Sequence, residues 1–196
     1  MGTNHARARE IMGKNFFGVE EAIEHFGVNP TEQQLAALSD IPYPEAVLEQ
    51  LKDAHILVAV FPISVIEIRE KVDSELFYHM PWYNERPFAK ESSEVSWQLV
   101  RKTPADDSFL KNWQEQQALI GEEDEVPTAQ VMVYTIVAYY LTTGEHLLEH
   151  IYVRTSSVDS GEHVIVGDFV LNGLYINRLW ISTRNDHLGV SSARKS

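Results

Sequence analysis

The chain has 196 residues, 44% of them hydrophobic and 23% charged, which supplies enough apolar mass for one domain with a sizeable core and argues against wholesale disorder. Its 29 acidic and 16 basic residues leave a formal charge of −13, a field that repels a nucleic-acid backbone and an anionic membrane surface alike. It has no cysteine, which excludes disulfides, thiolate metal sites and thiol nucleophiles.

Met1 to Lys14 is polar and carries Arg7 and Arg9 without an apolar h-region, so it does not read as a secretory signal. Cytoplasmic synthesis, with delivery by a partner or a virion, is the expectation. The next stretch reads as helical. Phe16, Phe17, Val19, Ala22, Ile23 and Phe26 recur at helical spacing up to Gly27. Asn29-Pro30-Thr31-Glu32 predicts a second helix, with Asn29 as its cap, Pro30 at its first position and Glu32 reaching back. Pro44 opens a third through Val47, Leu48 and Leu51. These helices form an N-terminal extension, residues 1–54, ahead of a second domain, residues 55–196.

His55 to Phe61 is a short apolar run ended by Pro62, the pattern of a buried strand. Ser64 caps a predicted helix carrying Val65, Ile66, Ile68 and Val72. Phe77 to Phe88 is aromatic and twice interrupted by proline, hence a loop whose rings cover the core. Val95 to Lys102 reads as a strand, and Asp107 as the cap of a helix carrying Phe109, Leu110, Trp113, Ala118 and Leu119. The acidic run Glu122 to Glu125 precedes Pro127, which suits a first helical position where acids meet the positive end of the helix dipole. The helix from Thr128 to Leu141 is apolar nearly all round, the mark of a central buried helix. Beyond Gly144 four β-like runs follow: His150 to Arg154, His163 to Phe169, Leu174 to Leu179 and Leu188 to Ala193. Helices followed by terminal strands give an α+β fold class, with residues 145–196 expected as an antiparallel sheet on the helix Thr128 to Leu141.

His146, Glu149 and His150 match the H-x-x-E-H pattern in which two histidines one helical turn apart bind zinc. Gly144 just before it and the β-branched run Ile151-Tyr152-Val153 just after it favour a helix-to-strand junction instead, and no metal is expected. Ser156, Ser157, Asp159 and His163 lie close in sequence, but a Ser-Ser-x-Asp-Ser-Gly turn accounts for them. There is no nucleophile elbow, phosphate loop, dinucleotide fingerprint or calcium loop. No catalytic residue and no cofactor is assigned, and an enzyme is not the expectation.

One compositional gap stands out. Lys, Glu, Gln and Met total 39 residues, and none falls between His163 and Arg194, where an even scatter would place about six. Strands disfavour Lys and Glu, which explains part of the gap. Randomising the adenines of asparagine codons explains it too, because the resulting codons cannot encode Lys, Glu, Gln, Met or Trp. Trp180 then stands as a fixed residue.

Val166-Gly167-Asp168-Phe169, Gly173-Leu174, Trp180, Arg184-Asn185-Asp186 and Leu188-Gly189-Val190-Ser191-Ser192-Ala193-Arg194-Lys195 resemble the C-terminal variable region of diversity-generating retroelement variable proteins. The similarity is to the subset with a C-type lectin fold related to formylglycine-generating enzymes. It implies a C-type lectin-like domain over 55–196, with antiparallel strands at the C-terminus and a variable region over about 164–195. It implies a hypervariable ligand-binding, or display, protein whose partner is a macromolecule, most naturally a protein. The displayed ligand-binding set would be Tyr175, Asn177, Arg178, Leu179, Ile181, Ser182, Thr183, Asn185 and His187, on one exposed face. Trp180, Arg184, Asp186, Leu188 and Gly189 would be scaffold, with Trp180 and Leu188 turned into the core. The calcium-binding loop of sugar-binding lectins is missing, so no calcium is expected. An α+β structural or adaptor domain, and a metal-dependent hydrolase using His146, Glu149 and His150, stay open as alternatives.

Overall fold

The computed structural model describes residues 2–196, which form a mixed α+β fold: among them are eight helices and two mixed sheets. The N-terminal stretch is a helix, α1 (His5–Met12), because the Asn4 side chain accepts the Arg7 N–H at 2.9 Å and so caps it. Phe16–Phe17 is not the start of a helix. It is a two-residue strand, β1, and α2 (Val19–Phe26) begins only after Gly18, whose N–H is taken by the Glu21 carboxylate at 2.8 Å. The cap of α3 (Glu32–Ala37) is Thr31 rather than Asn29. Thr31 and Gln34 exchange side-chain and backbone hydrogen bonds at 3.2 and 2.9 Å, a reciprocity that Asn29 and Glu32 do not make. α4 (Glu45–Leu51) follows Pro44 as expected, and α5 (Val65–Lys71) starts at the expected Ser64 with a Ser64–Glu67 capping box.

The aromatic loop holds a 3-10 turn at Pro81–Tyr83 and runs into a short helix, α6 (Pro87–Lys90). The helix expected from Asp107 is shorter and starts later. Asp107 and Leu110 both take positive φ, and α7 (Trp113–Gln117) is capped by Asn112 paired with Glu115. α8 (Ala129–Thr143) is capped by Thr128, so Pro127 sits just outside the cap rather than in the first turn. The acids before it serve a different end. Asp124 and Glu125 form a small strand, β4, and Glu123 and Asp124 pair with Arg194.

β1 runs parallel to β2 (His55–Val60), which pairs antiparallel with β3 (Ser96–Arg101). β9 (Ala193–Arg194) fits between β3 and β4, giving the order β1-β2-β3-β9-β4. The second sheet has the order β7-β6-β5-β8, with β5 (Tyr152–Asp159), β6 (Glu162–Val170), β7 (Gly173–Trp180) and β8 (Leu188–Val190). The expected all-antiparallel C-terminal sheet is corrected in two respects. β8 lies parallel to β5, and β9 leaves for the other sheet. The first follows from residues 181–187 crossing from the end of β7 to the end of the sheet where β5 begins, so that β8 runs beside β5 in the same direction.

α8 lies between the two sheets and is buried over Ala129–Tyr139. Its few polar groups are bonded: the Tyr134 hydroxyl donates to the Ala59 carbonyl at 3.0 Å, and the Gln130 amide to that of Ile63 at 2.9 Å. One hydrophobic cluster joins Ala8, Phe17, Phe26 and Leu48 to Leu57, Trp97, Val133, Val166 and Ile176. Among the described residues no helix is long and apolar enough to cross a membrane.

Candidate functional site

The second sheet has two unlike faces, because side chains alternate along each strand. Val153, Val164, Val166 and Ile176 face α8 and the core. The register puts Tyr152, Arg154, His163, Ile165, Gly167, Tyr175, Asn177 and Leu179 on the other, outer face. Alternation therefore splits the displayed set. Tyr175, Asn177 and Leu179 are on the outer face, and all three are half-buried. Arg178 is on the opposite face, also half-buried, with its guanidinium 5.3 Å over the Trp82 ring and paired with Asp159 and Glu162. It is not aligned with the others.

Ile181, Ser182, Asn185 and His187 are exposed and Thr183 is half-buried, all in the segment that crosses from β7 to β8. Of the two residues expected in the core, Leu188 is there, at 1% exposure, but Trp180 is 60% exposed. The reason is its position. It shares the parity of Ile176, but it is the last residue of an edge strand, opposite Glu162, past the end of α8's cover. Arg184 is exposed and paired with Glu115, and Asp186 is exposed.

How the crossing segment is held matters more than its exposure. Arg154 projects from β5 onto the outer face and is fully buried. Its Nη2 donates to the carbonyls of Trp180 and Thr183 at 3.1 and 2.7 Å. Its Nη1 donates to the Lys111 carbonyl at 3.3 Å and to Gln116 Oε1 at 2.7 Å. No carboxylate lies within ion-pair distance among the described residues, and burial pulls its pKa down to about 10. Three further carbonyls of the segment are taken by backbone N–H groups from outside it: Ile181 by Trp113, Asn185 by Leu110 and His187 by Tyr152, at 2.8–2.9 Å. Within the segment, the one displayed side chain that bonds the backbone is Asn185, whose Oδ1 accepts the His187 N–H at 2.7 Å. The Trp113 ring lies tilted against buried His163, with centroids 3.8 Å apart, and His163 donates through Nδ1 to the Thr155 carbonyl at 3.0 Å. Burial, and then Arg154, lower the pKa of that imidazole.

Beside β8, the Ala105 N–H donates to the Val190 carbonyl at 2.9 Å. Gly189 permits this approach: a Cβ there would lie 2.4 Å from Pro104 Cβ. At the other edge, the aromatic loop caps β7. The Tyr78 N–H donates to the Leu174 carbonyl and the Trp82 indole to that of Ile176, both at 3.0 Å. The same loop buries Phe77, Tyr83 and Phe88 as expected, so it serves both core and edge.

His146, Glu149 and His150 do not form a helical metal motif. α8 ends at Gly144, His146 lies against Tyr140 and Phe169 at 4.7 and 4.5 Å, and His150 takes positive φ with its imidazole 3.7 Å from Asp168. Nor do the serines meet an acid and a base. Ser157 Oγ accepts the Ala129 N–H at 2.9 Å, while Asp159 is engaged by Arg178. Arg154, Trp113 and Tyr152 are the residues sequence reasoning missed. Arg154 sits in a β-branched strand with no local mark of its depth, since its partners are 26 to 43 residues away in sequence.

Comparison with known proteins returned no matching family model, no matching curated protein and no matching solved structure.

Proposed function

We propose that the chain is a hypervariable ligand-binding protein, diversified by a retroelement, with a C-type lectin-like fold that displays its C-terminal segment to a protein ligand. The observation that carries this reading is the tethering of residues 180–187. Five of their carbonyls are held by Arg154 and by three outside N–H groups, so the backbone is fixed by atoms common to every residue type. Side chains at 181, 182, 183, 185 and 187 are then free to change without removing those bonds. The tail's missing residue types and its match to the variable region point the same way. Tyr175, Ser182 and Asn185 suit adaptable contacts of the kind antibody loops use.

The test is a library varying Ile181, Ser182, Thr183, Asn185 and His187 together. Most members are expected to fold with stability changes of about 1 kcal/mol or less, as exposed substitutions do, and selection should recover members with distinct protein ligands. General unfolding of the library, measured by thermal melts, would defeat the reading.

A further inference from the structure

We infer that a cation subsite adjoins the segment crossing from β7 to β8, formed by Tyr78, Tyr152, Tyr175 and Asp168, and that it receives a lysine or arginine side chain of the bound protein. This deepens the proposed function and rests on it for the nature of the occupant.

One row of the outer face reads Tyr152, Gly167, Tyr175 across β5, β6 and β7. Gly167 has no side chain, and a Cβ there would lie 2.2 Å from the Ile151 carbonyl oxygen. The two tyrosines close over the gap, with ring centroids 5.6 Å apart and planes at 63°. Tyr78, 44% exposed, meets the far side of Tyr175 at the same 5.6 Å and 60°. Asn177 fixes Tyr175 by donating to its hydroxyl at 2.7 Å.

Next to this row β6 is irregular. The register shifts between Gly167 and Val170, and Asp168 adopts φ 45°, a conformation that a non-glycine residue adopts at a cost. By simple alternation Asp168 would follow Val164 and Val166 towards the core. The bulge turns Phe169 inward instead and sends the Asp168 carboxylate to the outer face, where Oδ2 accepts the Tyr152 hydroxyl at 2.9 Å. His150, likewise at positive φ, stands 3.7 Å from Oδ1, too far for a hydrogen bond. Among the described residues no lysine or arginine pairs with Asp168. A part-exposed carboxylate thus adjoins the first of three aromatic rings in a row, on a chain of charge −13. Ring faces and a carboxylate both attract a cation, and the two together discriminate against an anion or an apolar group.

The probes are N-acetyl-lysine methylamide and N-acetyl-arginine methylamide, with N-acetyl-norleucine methylamide as the neutral control. Tyrosine ring resonances are followed by NMR on the full chain. Saturable shifts at Tyr152 and Tyr175 are expected with a cationic probe and not with norleucine, and the tighter of the two probes identifies the side chain. Asp168→Asn removes the ion pair and keeps the rings, and should weaken that binding by up to about fivefold. Asparagine tolerates the left-handed conformation at 168, so this variant keeps the bulge. Tyr175→Ala supplies a second variant and should abolish saturation, while Leu35→Ser, at an exposed position on α3, should leave it unchanged. Absence of saturable shifts, or equal shifts with norleucine, overturns the subsite. If the loop library still yields ligands in that case, the proposed function stands and only the subsite falls.

Discussion

Arg154 shows what one buried residue does for a surface. It carries a charge without a carboxylate partner, and its four hydrogen bonds offset part of the loss of water by polarising three carbonyls and one amide oxygen, while its buried Nε has no partner. Arg154→Ala leaves those acceptors unpaired and should cost about 2–4 kcal/mol. Hydrogen exchange should rise first at residues 180–187, and a melt with unchanged exchange there would show that Arg154 does not tether the segment. His55 makes a second test. It is buried at the start of β2, its Nδ1 has no partner, and burial, then Arg101 and Arg194, lower its pKa to about 4. The folded value lies below the ordinary 6.5, so the unfolded chain takes up the proton first, and stability present above pH 6.5 is lost as pH falls towards 4. Roughly 2–3 kcal/mol should go by pH 4 at this site. His163, also lowered, adds to the slope. Denaturant melts of His55→Leu should show a shallower pH dependence across that window than the unmodified chain.

At the scale of elements, strand ends and edges decide which tail residues are free. Trp180 ends β7 and is mostly exposed, so Trp180→Ala should cost under about 1 kcal/mol, far less than the 3–5 expected of a buried tryptophan. Thermal melts that place Trp180→Ala well below Ile181→Ser would contradict the exposure of both side chains. Gly189 is the opposite case. Gly189→Ala sets a Cβ 2.4 Å from the Pro104 ring and 2.8 Å from Ser108 Oγ, so β8 must separate from the 104–108 segment. Overpacking of this kind costs about 1–3 kcal/mol, and a melt equal to the parent would mean that the segment yields. Caps were legible here. Ser64–Glu67 lies within one turn and can be read directly, whereas Asn29 and Asp107 were mistaken for caps because Thr31 and Asn112 offer a complete reciprocal pair three residues apart.

Across the whole molecule, residues 1–54 and 55–196 share one core. The Trp97 indole donates to the Leu38 carbonyl at 3.0 Å, β1 extends the sheet beside β2, and Phe17 and Phe26 pack against Tyr134 of α8. A fragment of residues 55–196 should therefore melt without a cooperative transition and expose apolar surface to a dye, whereas a sharp transition near that of the full chain would show that the second part is self-sufficient. The α+β class, the buried strand β2, the central helix α8 and the exposure of residues 181, 182, 185 and 187 were legible in the sequence. The first three depend on local patterns such as an apolar run or an all-round apolar helix ended by glycine, and the exposure was expected from the resemblance of the tail. Only the tertiary structure decided that β8 runs parallel to β5, that β9 joins the other sheet, that Arg178 faces away from its neighbours' surface, and that Arg154 rather than Trp180 is the buried anchor. Those outcomes depend on partners tens of residues distant, and local sequence records the alternation of a strand but not which of its faces another segment will cover.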